Sequence, residues 1–400
     1  MDLAPPRRHR NSSDELPSDE LPSDELPAPD RAAAGGGTLA GMPQRGDPEE
    51  APMQTRVTEL FGVEHPILLS GMSWISTPEL VAAVADAGGL GILATGVLDA
   101  EGTREAVRRT RELTDRPFAA NVTLYFPGNR ANAEVLIEEQ VPVVNYSLGK
   151  GDWIAEGVHA YGGKVIATVT TLKHALAAVR DGADALLVTG HEAAGHGGAV
   201  TSLVLVPSLA DAVPVPIIAA GGFADGRGLA AALALGADGV AMGTRFMNTV
   251  ESPVHDRAKT TTRERGVADT VYTDRVDGLK GRYVDAPGSR RIIRRRMNPL
   301  SALIRSRAIA AMLGLPWGKL ALGIVLQGPR RSMTMARMAI GFDAFKEGCT
   351  SGDLDRGVLP LGQCAGLIED TPTVAEVITR MVGEAEAATR RLAQATSSDG

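Results

Sequence analysis

The 400-residue chain has only two cysteines, Cys349 and Cys364, with no CxxC pair and no metal-ligand spacing around them. Two thiols cannot build a disulfide framework, and a reducing cytoplasm is the expected compartment. No run of eighteen apolar residues occurs, so no membrane span is expected. Arg7, Arg8 and Arg10 lack an apolar segment behind them, which argues against a secretory signal. Net charge is also lacking where it would matter. Residues 1–53 carry 11 acidic and 5 basic side chains, leaving −1 of the total −7 for residues 54–400. A near-neutral body gives no reason to expect nucleic acid as a partner. Aromatic residues are few, so abundant Gly and Ala must fill the tightly packed layers.

The first part of the chain reads as a tail. Ser-Asp-Glu-Leu-Pro occurs three times in tandem at 13–17, 18–22 and 23–27, followed by Ala32-Ala33-Ala34-Gly35-Gly36-Gly37. Such acidic, Pro-rich and Gly-rich sequence cannot bury enough apolar surface to offset chain entropy, so 1–53 is expected to be disordered, with Met42 and Met53 as alternative starts. From Pro66 the chain becomes rhythmic. Apolar runs at 66–72, 89–95, 118–124, 142–148, 163–169, 183–190, 216–222 and 239–245 alternate with helical patterns. Helices are expected at about 78–87, with Thr77 as N-cap before Pro78, and at 101–113, 130–139, 172–181, 202–212 and 226–235, with a weaker one at 151–160. Gly-Ala-Asp recurs at 182–184 and 236–238, a helix-ending glycine leading into a strand. Eight such units predict an α/β fold, a (β/α)8 TIM barrel, with a doubly wound open sheet as the alternative. After the eighth strand comes a polar, turn-rich piece, a basic cluster (Arg290, Arg291, Arg294, Arg295, Arg296) and an apolar helical stretch near 299–326. Helical periodicity returns at 373–395. The expectation is a barrel over 54–245 and 366–400, with a mostly helical lid, 246–365, inserted between strand 8 and helix 8.

Chemistry concentrates at the strand ends. Strand 6 empties into Gly190-His191-Glu192-Ala193-Ala194-Gly195-His196-Gly197-Gly198. His196 is suited to acid, base or hydrogen-bond work near neutral pH. Glu192 reads as a structural carboxylate that bonds loop amides or orients a histidine. The HExxH spacing is absent, so no metal is expected. Strands 7 and 8 end in Gly221-Gly222 and Gly243-Thr244, the places where barrels of this kind bind phosphate through backbone amides. Gly71 and Met72, ending strand 1, can present main-chain groups to a flat ring. Asn121 within strand 3 is either a ring contact or a satisfied core amide.

These residues resemble a known family. The strand-6 loop is similar to the Gly-x-Glu-Ala-Gly-Gly-His-x-Gly signature of the nitronate monooxygenases, whose superfamily includes flavin enoyl-ACP reductases and some quinone reductases. The resemblance continues through Ala219-Ala220-Gly221-Gly222-Phe223-Ala224-Asp225-Gly226, Met242-Gly243-Thr244-Arg245-Phe246, Arg275-Val276-Asp277-Gly278 and Gly362-Gln363-Cys364-Ala365-Gly366-Leu367-Ile368, over about residues 54–395. It implies non-covalent FMN, held by Asn121, Gly221, Gly222, Ala241, Met242, Gly243 and Thr244, with Gly71 and Met72 at the isoalloxazine edge. Thr189, Ala194 and Gly195 fall at further cofactor contacts, and His196 at the catalytic histidine. Thr189 and Ala241 stand where many members have Gln, and Ala194 where they have Gly. Ala194 keeps its backbone contact only if its torsion angles suit alanine. His191 occupies a variable position and is a candidate for altered substrate preference.

The expected activity is FMN-dependent oxidation of a nitronate by O2 to a carbonyl compound and nitrite, with His196 holding the substrate charge or removing a proton. Met72, Trp74 and Phe246 are candidate pocket walls. The alternative is reduction of an enoyl thioester or quinone at the expense of NAD(P)H, with the arginine cluster either meeting a carrier or CoA phosphate or forming a solvated helix face. A third class is a flavin-binding module without turnover. A homodimer is left open.

Overall fold

A computed structural model describes residues 53–125, 128–295, 317–318 and 329–396. The expectations for the tail before Met53, for nearly all of 299–326 and for Arg296 fall outside these residues. Eight parallel strands close into a barrel in sequential order. They are β1 (Ile67–Leu69), β2 (Leu90–Ala94), β3 (Ala119–Thr123), β4 (Val143–Ser147), β5 (Lys164–Val169), β6 (Ala185–Thr189), β7 (Ile217–Ala220) and β8 (Gly239–Met242), with β8 paired to β1. Each lies within an expected apolar run, and helices connect them; the open sheet is ruled out by closure.

Period-2 alternation decides what the barrel encloses. Ala119, Val143, Ile166 and Leu187 belong to one apolar interior cluster. Two residues further along the same strands stand Asn121, Asn145, Thr168 and Thr189. The interior is therefore apolar through its middle and turns polar at the C-terminal mouth. A short helix, Arg56–Phe61, closes the other mouth with Val57 and Phe61 in that same cluster. It carries a Thr55–Thr58 capping box, and Arg56 forms a two-pronged ion pair with Asp238, both bonds 2.7 Å. Sequence reading did not anticipate this helix: six residues with so few apolar positions show no period.

The Gly-Ala-Asp repeats do one job twice. Gly182 and Gly236 take left-handed φ (+96° and +91°), which favours glycine. The carboxylates then accept strand amides: Asp184 from Val165 in β5 (2.7 Å) and Asp238 from Ile217 in β7 (2.9 Å). Thr77 does stand at the N-cap before Pro78, though its side chain makes no cap hydrogen bond.

Beyond β8 the chain forms helices Thr244–Met247, Asp256–Arg263, Pro287–Arg294 and Pro329–Thr350. The turn-rich piece also contains an antiparallel pair, β9 (Thr270–Thr273) and β10 (Gly281–Val284). The last helix, Val374–Thr396, packs on Gly226–Ala234 and Pro78–Asp86, taking the place of the eighth barrel helix. Arg245, almost fully buried, and Arg380 converge on Asp370 (2.8 and 2.6 Å) and tie that helix to the end of β8.

Candidate functional site

At the polar mouth lies a cavity of about 790 Å³. Gly71, Met72, Asn121, Thr189, Ala194, Gly195, His196, Gly221, Gly222, Ala241, Met242, Gly243 and Thr244 all line it. Residues from five strand ends, those of β1, β3, β6, β7 and β8, thus meet at one surface. Of the three proposed walls, Met72 and Trp74 line the cavity, whereas Phe246 is fully buried in the core. Trp74 has φ +62°, rare for an aromatic residue, and its ring meets Phe342 edge-on at 5.8 Å. The structure thus holds this indole at the wall by contact with the segment after β8.

The strand-6 loop is held from several sides. Glu192 accepts the Ser202 amide with both carboxylate oxygens (3.1 and 2.9 Å), the structural role read from sequence. The Ser202 hydroxyl donates to the Gly221 carbonyl at 2.7 Å, linking the β6 and β7 loops. Arg282, from β10, donates twice to the His191 carbonyl (3.2 and 3.0 Å) and once to Thr270 Oγ1 (3.0 Å). Its amide also donates to the Gly195 carbonyl at 3.2 Å. Burial lowers the Arg282 pKa, opposed by Glu192 and Tyr272 nearby. Gly195 makes the turn with φ +68°; Ala194 is not among the left-handed residues, so alanine is accommodated there.

His191 and His196 are separated. His191 bonds the Gly198 carbonyl (Nδ1, 3.0 Å), packs edge-on to Tyr272 at 4.4 Å, and is absent from the cavity wall. It supports the loop and does not face substrate space. The His196 side chain is one-third exposed, lines the cavity, and bonds Asp277 Oδ2 through Nε2 at 2.8 Å. In the sequence Asp277 stands out only as part of the Arg275-Val276-Asp277-Gly278 motif. Its partnership spans 81 positions, and no local pattern could have indicated it.

Gly221 and Gly222 take φ +97° and +90°. Among the described residues, the amides of Gly221, Gly222 and Gly243 donate to no protein acceptor. Buried or half-buried amides of this kind are ordinarily paired. Free donors converging at the ends of β7 and β8 fit a phosphate. The Thr244 hydroxyl accepts the Gly362 amide at 3.1 Å and also bonds the Cys364 side chain. Asn121 donates to Asn145 Oδ1 (2.6 Å), and Asn145 to Thr168 Oγ1 (3.0 Å). Asn121 is therefore both a satisfied amide and a cavity residue.

Cys349 and Cys364 also line the cavity, but burial pushes their thiols up to about 12 and about 11. Both stay neutral near pH 7 and are poor nucleophiles. In the basic cluster, Arg290 pairs with Asp285 (2.7 Å) and Arg291 donates to the Arg356 carbonyl (2.8 Å). Neither lines the cavity.

The nitronate monooxygenase family profile matches residues 54–133 and 128–384. A Rhodococcus jostii protein named (3aS,4S,5R,7aS)-5-hydroxy-7a-methyl-1-oxo-octahydro-1H-indene-4-carboxyl-CoA dehydrogenase is 38% identical over 83% of this chain and 96% of its own length. A probable nitronate monooxygenase of Staphylococcus saprophyticus is 32% identical over 58% of this chain and 79% of its own. Among solved structures, FabK from Thermotoga maritima superposes with a TM-score of 0.71 at 36% identity, covering 86% of this chain and 99% of that one. With the barrel, the unpaired glycine amides and the His196 loop in place, this match makes the chain an oxidoreductase of the nitronate monooxygenase family.

Proposed function

We propose that the chain is an FMN-dependent oxidoreductase that dehydrogenates a bulky acyl-CoA thioester, with His196 as the catalytic base. The observation that carries the reading is the juxtaposition in one cavity of unpaired glycine amides, suited to a phosphate, and a carboxylate-bonded imidazole. Gly221, Gly222, Gly243 and Thr244 would hold the FMN phosphate. Gly71, Met72, Asn121, Thr189, Ala194, Gly195, Ala241 and Met242 would surround the ring. When bound, FMN supplies a two-electron acceptor that O2 or a later electron carrier can regenerate.

The protein's own part is to hold the substrate and move one proton. Nδ1 of His196 has no partner among the described residues. It would take the proton next to the thioester carbonyl, a step for which positioned bases contribute about 10²–10⁴-fold. The described residues after β8 would act as a lid, with Phe342 and Phe345 excluding water from their side of the wall and Trp74 from the β1 side. A cavity of about 790 Å³ falls in the upper part of the range for small-molecule sites, roughly 300–1,000 Å³, and leaves room beside a flavin for more than a small nitronate. The near-full-length similarity to a protein named for a CoA substrate supports the same choice. The second reading, nitronate oxidation, is favoured by the family match and the staphylococcal relative. Reduction of an enoyl thioester by NAD(P)H is the same thioester chemistry run backwards.

The test is anaerobic mixing of the flavin-loaded protein with cyclohexanecarbonyl-CoA, ethyl nitronate or NADPH while flavin absorbance is followed. Bleaching by the thioester is expected. Bleaching by nitronate alone would overturn the thioester reading in favour of the second. Bleaching by NADPH alone would point to the reductive direction.

A further inference from the structure

We propose that Asp277 is a positioning residue that sets the tautomer of His196. By accepting the Nε2 proton it leaves Nδ1 as the unprotonated nitrogen available to the cavity. This rests on His196 acting as a base, but the tautomer itself can be read without turnover.

Four observations support it. The Nε2–Oδ2 distance is 2.8 Å, and the Asp277 side chain is only 3% exposed. A carboxylate shielded from water can only accept, so the nitrogen facing it must donate. The other oxygen, Oδ1, is claimed by the Leu279 amide at 3.0 Å, which fixes the carboxylate's rotation. Gly341 presses on the same residue: a Cβ there would come within 2.8 Å of Asp277 Cβ. Tyr283, at 1% exposure, walls off the remaining side, stacked on Phe345 at 5.5 Å. Burial, followed by the charge of Asp277 and a side-chain bond to that carboxylate, pushes the Tyr283 pKa up. It therefore stays protonated and does not compete for the imidazole proton.

A second His–Asp pair in the same molecule gives the contrast. His159 and Asp184 also meet at 2.8 Å, but their side chains are 43% and 22% exposed and line no part of the cavity. Asp184 serves the Val165 amide of β5. Among the described residues Asp277 serves no strand amide; its Oδ1 takes the Leu279 amide and its Oδ2 faces the histidine.

The Leu279 bond makes the test decisive. In Asp277→Asn the side-chain carbonyl remains with the Leu279 amide, so the NH2 group turns toward His196. It must donate to Nε2, which forces the proton onto Nδ1. The full-length protein labelled with ¹⁵N-histidine, with His196 assigned through His196→Asn, should show Nε2 protonated in the wild type and in Asp277→Glu. Asp277→Asn should show Nδ1 protonated, and Asp277→Ala a mixture. Flavin bleaching by cyclohexanecarbonyl-CoA should fall by about 10²–10⁴-fold in Asp277→Asn with flavin content unchanged. An unchanged His196 tautomer in both Asp277→Asn and Asp277→Ala would overturn the proposal. If the thioester does not bleach the wild type, the functional reading fails while the tautomer measurement still decides the role of Asp277.

Discussion

At the scale of single residues, the site is a matter of which polar groups lack partners. Gly222 illustrates it: φ of +90° and an amide with no acceptor among the described residues leave it shaped for a ligand oxygen. Gly222→Ala should weaken FMN binding at least tenfold and cost about 1–3 kcal/mol through backbone strain. FMN titration and denaturant unfolding measure the two effects separately. Much of this was legible in the sequence, because Gly-Gly and Gly-Thr at strand ends have few purposes. What was not legible is instructive. Phe246 and Met72 are both apolar residues near glycine turns, yet only Met72 reaches the cavity. His191 and His196 share one loop; the family resemblance separated their roles, but the contacts that hold each one come from the far segment, through Arg282, Tyr272 and Asp277.

Elements positioned by sequence period were predictable; elements stabilised by distant partners were not. The barrel strands announce themselves as short apolar runs, and even the polar layer follows from counting by two from Ala119 to Asn121 or Leu187 to Thr189. The β9–β10 pair has strands of four residues in a polar stretch, so no period marks it. Its function is nonetheless central, because β10 delivers Arg282 to the histidine loop. Arg282→Met should break both bonds to the His191 carbonyl, costing about 1.5–3 kcal/mol as bonds from a charged donor. Amide hydrogen exchange across 190–198 should quicken, while exchange in β1–β4 stays as in the wild type. The helix Arg56–Phe61 makes a similar case at the opposite mouth. Phe61→Ala should cost about 3–5 kcal/mol, measured by urea unfolding, without changing flavin bleaching, since Phe61 closes the opposite mouth and does not line the cavity.

At the scale of the whole molecule, the barrel must close across a long insertion. Asp370 sits at that closure between Arg245 and Arg380. Burial pushes its carboxyl up, but the bonds from Arg380 and Arg245 and their charges push it further down, so its folded pKa lies below the ordinary value. A depressed carboxylate stabilises the fold above its unfolded pKa of about 3.9, and that contribution is lost as pH falls through the folded value. Wild type should therefore exceed Asp370→Asn in thermal stability at pH 6–7, as ~4 is passed the gap should narrow, and it should vanish in stronger acid. A constant gap across that range would remove Asp370 from the account. The general plan of barrel plus insertion could be read from the eightfold rhythm and its interruption. How the two join could not, since the joining residues are scattered over more than a hundred positions.

The central claim is that His196 works on a substrate held beside FMN in this cavity. The most direct measurement is single-turnover stopped flow with cyclohexanecarbonyl-CoA on the wild type and His196→Asn, each with its flavin content determined beforehand. The wild type should bleach, and His196→Asn should retain its flavin and fail to bleach. A variant that keeps its flavin and bleaches at the wild-type rate would contradict the account.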